Sequence, residues 1–196
     1  MKKILYIHHS PIKRGKEHTK LLKNLRNFLE KSWGGQTNFG EKIVRGWTLK
    51  GDVKHYFDTI DHETLLRIIG RKIKDERVIW LIKNILGNYR AQMAGKGMPI
   101  GNLTSQFFAN VYLNELDQFV KHELKVKYYI RYVDDFVILH EDRKELERLR
   151  SKIDGFLKCN LKIGLHDEKT RVIALKRGIT LLGFRVFYHY KLRKKS

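Results

Sequence analysis

Cysteine and proline are almost absent from this chain: Cys159 stands alone, and Pro11 and Pro99 are the only prolines in 196 residues. A lone thiol excludes an internal disulfide and a thiolate zinc cluster, and it suits a reducing cytoplasm. Long hydrophobic runs are missing as well. No stretch approaches the roughly 20 apolar residues that span a bilayer, and the basic residues are spread along the chain instead of lining one amphipathic helix, so a membrane is not an expected partner. The opening Met1–His9 is basic, but its apolar run is too short for a secretory signal and reads as a strand.

Acidic residues are also scarce. Aspartate and glutamate total 21 against 41 lysines and arginines, a net charge of +20. Such a surplus repels itself and attracts polyanions, which points to nucleic acid. The 42% hydrophobic content is enough for a real core in a chain of this length.

Apolar periodicity sketches an α+β domain. Leu21, Leu22, Leu25, Phe28 and Leu29 predict a helix within residues 17–32, followed by a Gly34–Asn38 break. Trp47–Val53 reads as a buried strand. Asp61 and Asp75 are placed to cap two helices, the second with Val78, Ile79, Leu81, Ile82, Ile85 and Leu86 on its inner face. A glycine-rich loop, Gly95–Gly101, is expected to present its amides in the open before a long helix carrying Phe108, Val111, Tyr112, Leu116, Phe119 and Val120. Tyr128–Leu139 predicts a hairpin, Leu146–Leu157 a helix, and Arg171–Leu175 and Thr180–Phe187 two further strands.

The hairpin is the most informative feature, because Asp134 and Asp135 sit between two apolar strands where a turn ordinarily carries glycine or asparagine. Adjacent carboxylates there repel one another and are raised in pKa unless a cation sits on them. An exposed turn that uses aspartate for local hydrogen bonds is the plainer alternative. Asp52, at the end of the Trp47–Val53 strand, weakens it: if the strands pair, Asp52 faces Asp134. Three carboxylates on neighbouring strand ends suit two magnesium ions about 4 Å apart, the arrangement that activates a primer hydroxyl and stabilises departing pyrophosphate.

Asp52–Phe57, Gly97–Gln106 followed by Asn110, and the Tyr132-Val133-Asp134-Asp135 box occur in the order and spacing of reverse transcriptase palm motifs, and the chain resembles that family over about residues 10–190. The Gly97–Gln106 segment is most similar to the bacterial group of diversity-generating retroelements and group II intron relatives. The resemblance implies an RNA-directed DNA polymerase, with a palm whose antiparallel sheet is backed by helices over residues 47–190. It implies a fingers remnant over 1–46 and leaves a basic tail over 191–196. Asp52, Asp134 and Asp135 would hold two Mg2+ (or Mn2+) ions, together with Val53. Lys54, His55, Tyr56 and Phe57 would lie near the incoming deoxynucleotide, with Phe57 as the steric gate against a ribose 2′-hydroxyl. Pro99, Ile100, Gly101 and Gln106 would line the nascent base pair, and an aliphatic Ile100 goes with error-prone copying. Lys169 would protonate the pyrophosphate leaving group. Arg131, Tyr132, Gly183 and Phe184 would meet the RNA template and the DNA or RNA primer, with Leu181–Arg185 as the primer-grip turn. By the residues alone, Phe57 also fits an ordinary core position, Lys169 plain surface charge and the tail a disordered end.

Set beside that family, the chain has little before the block that Ser10–Lys16 resembles and no sizeable thumb after Ser196. This predicts a fragment or a minimal protein that needs an accessory protein or a fingers or thumb subunit. Two other readings stay open: a palm-like cyclase making signalling dinucleotides, and a degenerate palm that binds RNA or DNA through its charge.

Overall fold

The computed structural model describes residues 5–6, 46–88, 93–99, 101–181, 184–187 and 193–194. The predicted helix at 17–32 and most of the fingers segment lie outside them, as do Ile100 and Gly183. Strand β1 (Leu5–Tyr6) is followed by β2 (Trp47–Asp52), then by helices α1 (Tyr56–Thr59), α2 (His62–Gly70) and α3 (Glu76–Gly87). Helix α4 (Leu103–Gln118) runs on into a π-helical turn, Phe119–Glu123. Next come β3 (Tyr129–Tyr132), β4 (Asp135–His140), α5 (Arg143–Leu161) and β5 (Arg171–Ala174). Strands β6 (Ile179–Leu181), β7 (Phe184–Val186) and β8 (Arg193–Lys194) form a separate antiparallel sheet, so part of the basic tail pairs with β7.

The main sheet has the order β1-β3-β4-β2-β5, antiparallel except where β1 joins β3. Its centre is β4, where Phe136, Val137, Ile138 and Leu139 are all at most 1% exposed. Successive strand residues face opposite sides, so burial of all four means that β4 is covered on both faces. One face packs against α4 and α5, which contribute Phe108, Tyr112, Leu116, Leu146, Leu149, Ile153 and Leu157 to the core. This is the expected α+β arrangement of a mostly antiparallel sheet backed by helices.

The helix starts follow local chemistry. Asp61 and Asp75 are extended residues whose carboxylates accept from the Thr64 and Arg77 amides, each at 2.9 Å, as the capping pattern predicts. Helix α3 differs from the expectation: of the six apolar residues expected on its inner face only Ile82 and Leu86 are buried, whereas Val78 is exposed and Leu81 is 52% exposed beside Trp80 at 65%. The helix turns a wider apolar stripe outward than α2 can cover. The glycine-rich loop also departs from the open form expected of it. The Gly97 and Met98 amides donate to the Ile60 and Phe57 carbonyls at 2.8 and 2.7 Å, and the His62 amide donates to Gly95 at 3.0 Å. The loop is thus stitched along residues 57–62.

Gly51 shows how tightly the end of β2 is built. A Cβ there would lie 2.0 Å from the Phe136 ring, which stands over this position on the facing strand. Gly51→Ala must push the ring aside and disturb the strand end, so it is expected to destabilise the fold by about 1–3 kcal/mol. Urea denaturation measures this, and an unchanged midpoint contradicts the close approach.

Candidate active site

Strand register brings the carboxylates together. Asp52 ends β2 and is the pairing partner of Asp135, which opens β4; Asp135 is in turn opposite Tyr132, the last residue of β3. The row Tyr132–Asp135–Asp52 therefore crosses three strands at one end of the sheet. Asp134 stands beside this row in the two-residue turn Val133–Asp134. The expectation that Asp52 faces Asp134 is corrected: the turn takes up both residues, which leaves Asp135 as the one in register. Val133 has φ +54°, a left-handed backbone that a β-branched residue seldom adopts.

The electrostatics follow from this crowding. Burial raises the Asp134 carboxyl to about 6 from an ordinary 3.8, and the neighbouring Asp135 and Asp52 carboxylates push the same way. Asp135 is raised by burial and by Asp52, while Lys50 opposes the shift. Two ammonium groups offset the charge. Lys50 Nζ lies 3.3 Å from Asp135 Oδ1, and Lys169 Nζ lies 3.6 Å from Asp52 Oδ1. Asp135 Oδ1 is closed to solvent and makes no hydrogen bond, so the Lys50 contact is an ion pair without hydrogen-bond direction.

The backbone of Asp52 is clamped from the loop after α5. Its carbonyl accepts from the His166 amide at 2.8 Å, and its amide donates to Thr170 Oγ1 at 3.3 Å. Val53 is buried and bridges Leu165, and the Lys54 amide donates to Gly164 at 2.9 Å. Lys169 is carried to Asp52 by the same loop.

The remaining predicted residues divide. Lys54 and His55 are exposed beside the cluster, and His55 has φ +45°. Phe57 is half-buried against the core, and its carbonyl receives the Met98 amide, so it lies next to the Met98–Pro99 part of the loop. Gly101 is exposed with φ +102°, and Gln106 on α4 has a buried Oε1 without a hydrogen bond. The Tyr56 side chain turns away: it is 3% exposed and its hydroxyl donates to the Ala109 carbonyl, which leaves only backbone for a nucleotide contact. Arg131 is a second correction. Its side chain, 10% exposed, is paired with Asp117 inside the molecule and is not a surface contact for phosphate. Phe184 opens β7 and pairs with Leu181 of β6.

Sequence reasoning overlooked Lys50, Thr170, His166 and Asp117. Lys50 had a readable signal, since it stands two residues before Asp52 on the same strand face and reaches the diagonal position across β4. Asp117 also had one, as a lone carboxylate among apolar positions of α4.

Residues 10–186 match the family model described as reverse transcriptase (RNA-dependent DNA polymerase). The chain belongs to the reverse transcriptase family. Protein YkfC of Escherichia coli (strain K12) is 30% identical over 200 residues, covering 82% of this chain and 50% of YkfC. The group II intron-encoded protein LtrA of Lactococcus lactis subsp. cremoris is 33% identical over 138 residues, covering 66% of this chain and 23% of LtrA. This reverse transcriptase chain thus spans half or less of the length of these relatives. Apo telomerase from Candida tropicalis has the same fold, with a TM-score of 0.65 at 15% identity over 91% of this chain and 36% of its own.

Asp134 makes a pH test available in this reverse transcriptase domain. Its folded pKa lies above its ordinary value, so the folded state binds the proton more tightly than the unfolded chain. The stabilisation is full below about pH 4 and is lost as pH rises through about 6. With chelator present, Asp134→Asn is expected to flatten the fall in melting temperature across that window and to add on the order of 1 kcal/mol at neutral pH. An identical pH slope in the variant contradicts the assignment.

Proposed function

We propose that this chain is the palm of an RNA-directed DNA polymerase that adds deoxynucleotides to a primer over an RNA template. The observation that carries this reading is the register of Asp52 against Asp135, with Asp134 beside them, at the end of a sheet in a chain of this family. The donor set fits Mg2+. All three side chains offer hard oxygens, and Asp135 Oδ1 is buried and unsatisfied. The donors are the right type but are not yet gathered: among the described residues no three histidine, cysteine, aspartate or glutamate side chains cage an ion as they stand. Lys50 and Lys169 hold the charge instead.

When bound, two such ions lower the pKa of a primer hydroxyl and stabilise the leaving oxygen of pyrophosphate. The protein's part is to position and to hold protons. Asp52, Asp134 and Asp135 would supply the ligand oxygens, with the Val53 carbonyl as a further ligand. Lys169 is 59% exposed and reaches the cluster from the side, so it can give its proton to departing pyrophosphate. Phe57, keyed by its carbonyl to Met98, narrows the space beside the sugar and favours a deoxyribose. Pro99, Gly101 and Gln106 would line the base-pair side of that space, Gln106 with an Oε1 that no side chain or backbone group yet satisfies. Tyr132, Phe184 and the +20 charge support contact with primer and template.

One observation favours a second reading, a palm that binds nucleic acid without polymerising: Lys50 and Lys169 each pair with one carboxylate of the cluster, so the chain's own side chains offset part of its charge. Primer extension separates the two. The full chain, with an RNA template, Mg2+ and deoxynucleotides, is expected to extend a DNA primer, and the Asp134→Ala, Asp135→Ala double variant to lose at least about 100-fold in rate. Salt-sensitive binding that ignores Mg2+, with no extension by either protein, would mean the binding module.

A further inference from the structure

Arg131 has more partners than any surface contact would need. Nε and Nη2 fork onto the two oxygens of Asp117 at 2.7 and 2.5 Å. Nη1 donates to the Val133 carbonyl at 2.8 Å and lies 3.4 Å from Asn110 Oδ1. Asp117, 2% exposed, also accepts from the Tyr129 hydroxyl at 2.7 Å. Asn110 and Asp117 are two helical turns apart on α4, so one face of that helix presents both. Burial opposes the guanidinium charge, and the Asp117 carboxylate outweighs it.

The far end of this network is the strained position. Val133 opens the turn that carries Asp134 and leads into Asp135, and its left-handed backbone persists only where the surroundings hold it. A buried ion pair is a poor explanation by itself, because apolar residues of the same volume commonly stabilise a core as well. What apolar residues cannot do is direct a donor at the Val133 carbonyl.

We infer that Arg131, fixed by Asp117 and Tyr129, is a positioning residue that holds the Val133–Asp134 turn in its left-handed form and so sets where the Asp134 and Asp135 carboxylates point. Its consequence for metal binding rests on the polymerase reading above; its geometry does not. Lysine cannot take its place, since an ammonium lacks the fork that serves Asp117 and Val133 together.

Two measurements on the full chain test this, below the unfolding temperature of every variant: Mn2+ titration followed by electron paramagnetic resonance, and amide exchange at residues 133–136. Arg131→Lys is expected to weaken Mn2+ binding about tenfold and to speed exchange at the turn. Val133→Gly added to Arg131→Lys is expected to return most of the lost affinity, measured against Val133→Gly alone, because glycine takes positive φ without strain. Unchanged binding and exchange in Arg131→Lys overturn the inference, as does a loss that Val133→Gly leaves in place. Wild-type protein that binds no Mn2+ sensitive to Asp134→Ala defeats the polymerase reading alone; exchange then decides, with faster exchange in Arg131→Lys upholding the strap and unchanged exchange overturning it. If Arg131→Lys does not fold, Asp117→Asn, which keeps the shape of the partner and removes its charge, carries the same measurements.

Discussion

Repulsion among the carboxylates of Asp52, Asp134 and Asp135 is the constraint around which the rest of the molecule is arranged. Like charges at adjacent strand ends, partly shut off from water, do not stay ionised without help. Here the help comes from Lys50 along β2 and from Lys169 on the loop after α5, each within ion-pair distance of one carboxylate. The Lys169 ammonium is 59% exposed, and a pair with one partner so open to water is weak and readily exchanged. A site held by lysines is therefore one from which a divalent cation can take over the carboxylates.

Keeping three acids at one sheet end also demands backbone that ordinary side chains do not favour. Gly51 leaves room for the Phe136 ring directly before Asp52, and Val133 accepts a left-handed turn directly before Asp134. Thr170 and the His166 amide fasten the Asp52 backbone, while Arg131 reaches the Val133 carbonyl from behind. The glycine-rich loop is laid along residues 57–62 by three backbone hydrogen bonds, which sets Met98 and Pro99 next to Phe57. Site and scaffold are joined through backbone atoms more than through side chains.

That distribution explains what the amino-acid sequence disclosed. The apolar runs flanking Asp134–Asp135 announced the hairpin, and the caps at Asp61 and Asp75 announced two helix starts, since each depends on neighbours a few residues away. Register did not follow from the same pattern: which aspartate opposes Asp52 depends on the turn consuming two residues, a matter of backbone strain at Val133. Arg131 was misread as a phosphate contact because a basic residue on a strand of a +20 chain defaults to the surface. Its partner Asp117, 14 residues earlier, comes into reach only when α4 packs on the sheet. The face of α3 was misjudged for a related reason: periodicity shows that Leu81 lies on an apolar stripe, but not whether anything covers it.

The central claim is that the Asp52, Asp134 and Asp135 carboxylates form one divalent-cation site. Crystals of the full chain grown with Mn2+ and measured at the manganese absorption edge test it most directly. The account predicts anomalous density among these three side chains, with Lys50 and Lys169 displaced from Asp135 and Asp52. An empty site with both lysine pairs intact at saturating Mn2+ would contradict it.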